Sequence, residues 1–334
     1  MLRFVLRRLA LMVPTLFGLS LLLFIWVRIL PGDPARSLLG QRATPEAIAR
    51  VNEVYGFDKP IWEQYVTYIS ALLRGNFGSS IDLHEPVLDA FLTKLPATIE
   101  ISVVALLFAI VVGIPLGYYA GRHQGGWLDT TIVSGSLLGV VTPVFFLAIL
   151  LKYLFAEQLG LLPTQGRQDA RLDVDHPTNF YVLDGIVTGN FEAFWDASLH
   201  LVLPGLALGT IPLAIIVRIT RASVSEVVHE DYVRTAEAKG LQSGTINRRH
   251  VLRNALLPVV TTIGLQLGLL FSGAVLTETV FAIDGIGQYL YAAIGVRDYP
   301  VLQGFILFIA LMYSVINLLV DLSYGLIDPR VRVS

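Results

Sequence analysis

The 334-residue chain has no cysteine and only six histidines. The first absence removes disulfides, thiolate nucleophiles and cysteine-ligated metals, and says little of compartment. The histidines are scattered: His84, His123, His176 and His229 fall in loops or flanking segments, His200 and His250 near helix ends. With no HExxH pair and no nucleophile elbow, neither a metal site nor a catalytic residue is expected. No Gly-Lys-Ser or Gly-Lys-Thr occurs, so a P-loop is excluded and any nucleotide chemistry belongs to another chain. Charge is scarce too, at 15% of residues against 54% hydrophobic, and a net charge of −2 gives no reason to expect nucleic acid. That balance exceeds what a soluble core requires and predicts a polytopic membrane protein.

Long apolar runs dominate what is present. Arg3, Arg7 and Arg8 precede a run from Leu9 to about Leu30, which at 1.5 Å per residue spans roughly 30 Å and crosses a hydrocarbon core. A signal peptide would be shorter and end at a small-residue cleavage site; this run ends in Arg28 and the Pro-Gly-Asp-Pro of residues 31–34, and reads as a retained anchor. Further runs lie at about 98–121, 131–156, 199–220, 255–281 and 302–325. Glycines recur in them four residues apart, at Gly113, Gly117 and Gly121, at Gly135 and Gly139, at Gly205 and Gly209, and at Gly264 and Gly268. That spacing lets helix backbones approach closely where apolar burial alone drives nothing, so a tight bundle of six spans is expected.

Basic residues set the orientation. The N-terminal arginines, the loop 221–254 and the tail residues Arg330 and Arg332 are basic, whereas 157–198 has Arg167 and Arg171 against Asp169, Asp173, Asp175, Asp184, Glu192 and Asp196, and 282–301 has only Arg297. The positive-inside rule then puts both termini in the cytoplasm. The chain divides into an N-terminal span with a long extracytoplasmic loop (1–97), a membrane core (98–325) and a cytoplasmic tail (326–334). Within the long loop, Thr44, Pro45 and Glu46 read as a helix start and Gly56 as its end, and Pro60 opens a second helix closed by Gly75. Trp62, Tyr65, Tyr68, Leu72 and Leu73 recur there at helical spacing; the stripe faces either the membrane interface or the protein's own surface, self-packing being preferred.

Charges inside spans are costly and ask for a reason. Glu100, Lys152 and Glu278 fall toward the outer ends of their runs and Arg218 toward the inner end of its own. Lys152 and Arg218 either snorkel or act; the sharper reading is an outer ring of two acids and a base that closes a pathway by ion pairing or meets charged ligand termini. An ionised Glu278 calls for a cation, Lys152 or Arg297 in this chain or a basic group on a partner; otherwise it is a helix-end residue satisfied by nearby backbone. Pro143, after Thr142 and before Phe145 and Phe146, frees backbone carbonyls, either as a structural kink or along a pathway.

The segment Asp231–Pro258, DYVRTAEAKGLQSGTINRRHVLRNALLP, is polar and lies between two spanning runs. Ala236 and Gly240 are one helical turn apart, predicting a face with little side chain, open to another backbone. Arg234, Glu237 and Lys239 surround that face, with Leu241 next and Arg248, Arg249 and Arg253 beyond. Composition alone is also satisfied by a solvated basic loop.

DYVRTAEAKG with RHVLRNALLPVVT resembles the EAA-type cytoplasmic loop of ABC importer permeases, in the longer form of the peptide and nickel group. The resemblance extends to the paired arginines and PGDP near the start, to TETVF and GIG at 277–287, to RDYP at 297–300, and to NLLVDLSYGLIDPRVR at the end. It departs at Glu237, where the group more often has a basic residue, and at Ile283-Asp284, where it has Trp-Pro. The family implies an all-α transmembrane fold, a six-helix type I ABC importer permease bundle with a cytoplasmic coupling helix. It implies that Ala236 and Gly240 dock on a separate ATPase subunit. It also implies a second homologous permease, two ATPase subunits or domains that bind ATP and magnesium, and an extracytoplasmic substrate-binding protein; the acid excess at 157–198 and the helical signals at 44–74 make those outer segments the surfaces expected to receive it. No cofactor is expected in this chain. The similarity is greatest to dipeptide permeases of the cytoplasmic membrane; oligopeptides, nickel chelates, glutathione and haem are carried by relatives. A secondary transporter would show internal repeats and ionisable residues at midplane, and neither occurs.

Overall fold

The computed structural model describes residues 2–29, 39, 43–55, 58–172 and 174–327. In chain order the helices are α1 (Leu2–Ile29), α2 (Pro45–Tyr55), α3 (Ile61–Leu73), α4 (Val87–Arg122), α5 (Trp127–Val141), α6 (Val144–Leu151), α7 (Tyr181–Val187), α8 (Phe191–Val228), α9 (Asp231–Ala238), α10 (Arg253–Val280), α11 (Ile286–Val296) and α12 (Tyr299–Ile327). Wider π-helical turns continue α6 through Lys152–Gln158 and lead into α10 over Ile246–Leu252. Among the described residues there is no strand, only an isolated antiparallel bridge between Ser79 and Pro86. The PGDP stretch, Gly56, Asp173, Arg330 and Arg332 lie outside the described residues. Two compact units form, one from Met1–Leu95 with Tyr289–Leu318 and one from Pro96–Gln288 with Leu319–Ser334.

In the first unit α2 starts as expected, with the Thr44 hydroxyl accepting from the Ala47 amide at 3.2 Å, an N-cap that satisfies one orphan donor. At Gly75 the chain closes α3, with the Gly75 and Asn76 amides bonded to Leu72 and Ala71 carbonyls. The aromatic stripe of α3 divides. Tyr65 packs edge-on against Phe17 and Phe24 of α1, and Tyr68 against Phe24, while Trp62 and Leu73 are exposed. Asp298 of the RDYP motif is 1% exposed. It accepts from the Ser80 hydroxyl at 2.6 Å, the Ile81 amide at 2.8 Å and the Val301 amide at 3.3 Å, so it caps α12 and fixes the turn at 80–82.

In the second unit α8 is the central helix, with 67% of its apolar window buried. The glycine seams lie here. A Cβ on Gly117 would sit 2.6 Å from the Thr220 Cβ and 2.7 Å from the Val217 carbonyl oxygen; one on Gly209 would sit 2.7 Å from the Ala105 oxygen. Only glycine permits that approach. Gly205 meets Val104, Gly113 meets Ile216, Gly117 meets Thr220 and Gly121 meets Val224. The numbers rise together along both helices, so α4 and α8 are parallel. Gly139 is close to Thr210 of α8, but Gly135 has nothing within 4 Å and takes no part in the expected seam.

The run at 131–156 is corrected from a kinked span to two helices bent by 101°. Proline has no amide hydrogen to continue the ladder, and its ring pushes the preceding residue into extended backbone. Thr142 accordingly has ψ 124° and Pro143 ψ 132°, two consecutive extended residues where one would only kink. Because α4 and α8 are parallel, an odd number of crossings separates them, so α5 and α6 together make one crossing. With the five continuous apolar helices that makes six spans. The helices also outrun the apolar runs, α4 starting at Val87 and α8 running from Phe191 to Val228, because amphipathic turns continue past the hydrocarbon.

Candidate functional site

The segment 231–258 opens with the two-turn helix α9, seated on its own chain. Val233 is fully buried and Ala236 is 6% exposed; with Val224 of α8, Ile246, Val251 and Ala255 they form one apolar cluster. The expectation that Ala236 presents a bare outward face is therefore corrected: spacing put Ala236 with Val233 on the buried stripe of an amphipathic helix. Gly240 lies beyond the helix end at φ +74°, with nothing within 4 Å of an added Cβ. Its amide bonds to the Glu237 carbonyl and the Leu241 amide to the Ala236 carbonyl, a Schellman closure that needs a left-handed residue. Gly240 serves a turn, not a close approach. Arg234, Glu237, Lys239 and Leu241 are exposed and form the outward surface.

Glu278 sits at the far end of α10, about 40 Å along the helix from that seat. It is fully buried. Its carboxylate accepts from the Thr98 hydroxyl at 2.6 Å and the Gln288 amide at 2.9 Å, with the Gly287 amide as a further donor. Thr98 in turn accepts from the Ile286 amide at 3.0 Å. The chain from 281 to 288 thus folds over the carboxylate, which caps the N-terminus of α11, and a Cβ on Gly285 would lie 2.5 Å from the Glu278 carboxyl carbon. Ala282 makes the turn at φ +49°. Within this unit the partners of Glu278 are neutral donors and Lys152 is bonded elsewhere, which corrects the expectation of Lys152 as its counter-ion.

The outer ring of charges is likewise redistributed. Glu100 accepts from Arg167 Nη2 at 2.7 Å and from the Val182 amide at 2.9 Å. Lys152 Nζ donates to the Val280 carbonyl at 3.1 Å, which completes the end of α10 and is a better use of a half-buried ammonium than an unpaired one. Arg297 is exposed at the end of α11, at φ +57°. Arg167 also lies 3.8 Å over the Tyr181 ring, against which His176 stacks at 3.5 Å. Burial pushes the His176 imidazole down from its ordinary pKa. The acidic segment 157–198 is thereby organised around Arg167, in sequence only a minority charge.

Of the pathway candidates, Thr142 and Pro143 form the break in the bent span, Phe146 is exposed on α6 beyond it, and Arg218 is exposed on α8. One turn later on α8, Arg221 makes a two-pronged pair with Asp129 of α5, Nη2 to Oδ2 at 2.6 Å and Nε to Oδ1. Asp129 is 3% exposed and also accepts from the Gly125 amide at 2.9 Å. Neither residue stood out in the sequence; an acid in the first turn of an apolar run was the available signal.

Comparison with known proteins places these features. Residues 113–333 match the family described as binding-protein-dependent transport system inner membrane component, and residues 1–102 match its N-terminal membrane component. The chain belongs to this family. It is 44% identical over 332 residues to the dipeptide transport system permease protein DppB of Alkalihalophilus pseudofirmus, covering 99% of this chain and 100% of that one. It is 45% identical over 336 residues to the dipeptide transport system permease protein DppB of Escherichia coli K12, covering 99% of each. A solved structure of the MetNI methionine ABC transporter in an inward-facing conformation superposes with a TM-score of 0.52 at 17% identity, over 70% of this chain and 93% of that one, which establishes the shared fold. This inner membrane component is a multi-pass helical ABC importer permease of the peptide group.

For this component Glu278→Gln replaces an acceptor of several donors by an amide with one acceptor oxygen and a donor of its own. Leaving a buried donor unsatisfied costs about 1–3 kcal/mol, so thermal unfolding of the purified protein is expected to shift down by that amount. Thr98→Val is expected to cost much the same and to add little to the first change, because both break one network. Full additivity of the two would sink the capping account.

Proposed function

We propose that the chain is the permease subunit of an ATP-driven importer that carries dipeptides or short peptides across the cytoplasmic membrane into the cell. The observation that carries this reading is the end-to-end identity of 44–45% with proteins named as dipeptide permeases. Both termini are cytoplasmic, as the basic loops require, and α9 lies on the same side. A second homologous permease completes the pathway. ATP and magnesium are bound by partner ATPase subunits, which engage the exposed Arg234, Glu237, Lys239 and Leu241, while Ala236 holds α9 on its seat. A substrate-binding protein delivers peptide outside, where the segments 44–74 and 157–198 lie. The bent span at Thr142-Pro143 supports a pathway role, since irregular backbone in a bilayer is tolerated where it lines a cavity or is buried in protein.

The test is uptake of a labelled dipeptide into vesicles holding the complete complex, with ATP inside the compartment that the basic loops face. Uptake that follows an ion gradient and ignores ATP would overturn the reading. Coupling is checked separately with Ala236→Leu. Added bulk in a close-packed cluster costs about 1–3 kcal/mol, here by lifting α9, so ATPase subunits are expected to co-purify poorly and uptake to fall with them. Gly240→Ala meets open space and strains only the left-handed turn, by about 1–2 kcal/mol; a smaller loss is expected.

A further inference from the structure

The helix α3 belongs to a segment that sequence places outside the membrane, yet its contacts are with the interior of a span. Gln64 Oε1 accepts from Arg28 Nε and Nη2 at 3.0 and 2.9 Å, the guanidinium having folded back along α1 to lie over the Phe24 ring. The Tyr65 hydroxyl meets Ser20 Oγ at 2.9 Å, and its ring lies 5.9 Å from that of Phe17. At 1.5 Å per residue Ser20 is about 12 Å and Phe17 about 16 Å below Arg28 along α1. Half a hydrocarbon core is about 15 Å. Neighbouring residues of α3 therefore touch α1 between the levels of Phe24 and Phe17, about 6 to 16 Å below Arg28, so α3 lies against the span at acyl-chain depth with its underside toward the bilayer centre.

That underside is apolar and bare. At 100° per residue Trp62, Val66, Ile69 and Leu73 share a face opposite Gln64 and Ala71. Trp62 is 67%, Val66 61% and Leu73 84% exposed. At the same levels of α1, Leu22, Ile25 and Trp26 are exposed, as the flank of a span is to lipid. The aliphatic hydroxyls of α3 are spent on the helix itself: Thr67 donates to the Glu63 carbonyl at 2.9 Å and Ser70 to the Thr67 carbonyl at 2.8 Å, as an apolar medium demands, while the buried Tyr68 hydroxyl has no partner among the described residues. The one charged side chain, Glu63, is in the first turn, where a helix N-terminus favours a carboxylate.

We infer that α3 is an in-plane membrane helix, sunk into the leaflet at the far end of α1, with Trp62, Val66 and Leu73 seated on phospholipid acyl chains. It fastens the extracytoplasmic segment to the bilayer and sets its height. Which leaflet this is rests on the orientation proposed above; the depth does not.

The chain has no cysteine, so one introduced residue is unique within it. Nitroxide labels on Val66→Cys, Leu73→Cys and, as a control, the exposed Lys59→Cys are read by power saturation in the complete complex in phosphatidylcholine vesicles, with the unsubstituted complex as background. Labels at 66 and 73 are expected to collide more with oxygen than with a water-soluble nickel chelate, and the label at 59 the reverse. If 66 and 73 behave like 59, α3 is aqueous; if they are shielded from both, protein covers the face; either result overturns the inference. Peptide uptake measured on the same vesicles keeps the two readings apart, since lost uptake with retained oxygen preference counts against the substrate alone.

Discussion

Asp129→Asn is expected to lower the stability of the permease by about 3 kcal/mol, the lower end of what breaking a buried pair costs. The lower end applies because the Arg221 side chain keeps 29% of its exposure and can recover part of its hydration. The two prongs to Arg221 hold the start of α5 against α8, and the asparagine amide keeps one acceptor oxygen where Arg221 and the Gly125 amide used two. A double-mutant cycle with Arg221→Gln, read as thermal midpoints of purified protein, is expected to show the double variant losing less than the sum of the singles. Independent losses would mean that the pair is incidental.

Gly117→Leu is expected to have the largest effect of any single change in α4. The obstacles are a backbone carbonyl and a β-branched side chain at under 3 Å, neither of which swings away, so the helices must separate. Overpacking costs about 1–3 kcal/mol where neighbours yield and more where a whole helix moves; loss of monodisperse protein on size exclusion is the expected result. Gly135→Leu is the control. It has nothing within 4 Å and is expected to stay within about 0.5 kcal/mol of the parent.

Much of this architecture is legible in the sequence because a bilayer imposes length and polarity on every span. Hydropathy alone yields six runs, and the glycine spacing in four of them points to close packing. Hydropathy is silent about where a helix stops once it leaves the hydrocarbon, which is why α4 and α8 begin earlier than their apolar runs. A proline announces a break but not its angle; the 101° bend needed Thr142 to be extended as well. Local spacing put Ala236 and Gly240 on one side of a helix, and the error lay in ignoring Val233, whose burial decides which side faces in. The polar partnerships were out of reach altogether. Thr98 with Glu278, Glu100 with Arg167 and Asp129 with Arg221 join residues far apart in the chain, and a single sequence carries no record of who meets whom. Glu278 looked like a charge in need of an opposite charge, whereas a buried carboxylate is equally content with amide and hydroxyl donors.

The meshing of α4 with α8 limits how such a protein can move. Five successive contacts interlock at close range, like two toothed racks laid tooth to gap, and a slip of a single residue would bring side chain against side chain at several levels where a glycine now makes room. Gradual shear between these two helices is therefore closed off, and they travel as one beam. Any alternation between inward and outward openings has to be taken up at a joint, and the described chain offers a ready one in the two extended residues Thr142 and Pro143, where α6 swings away from α5.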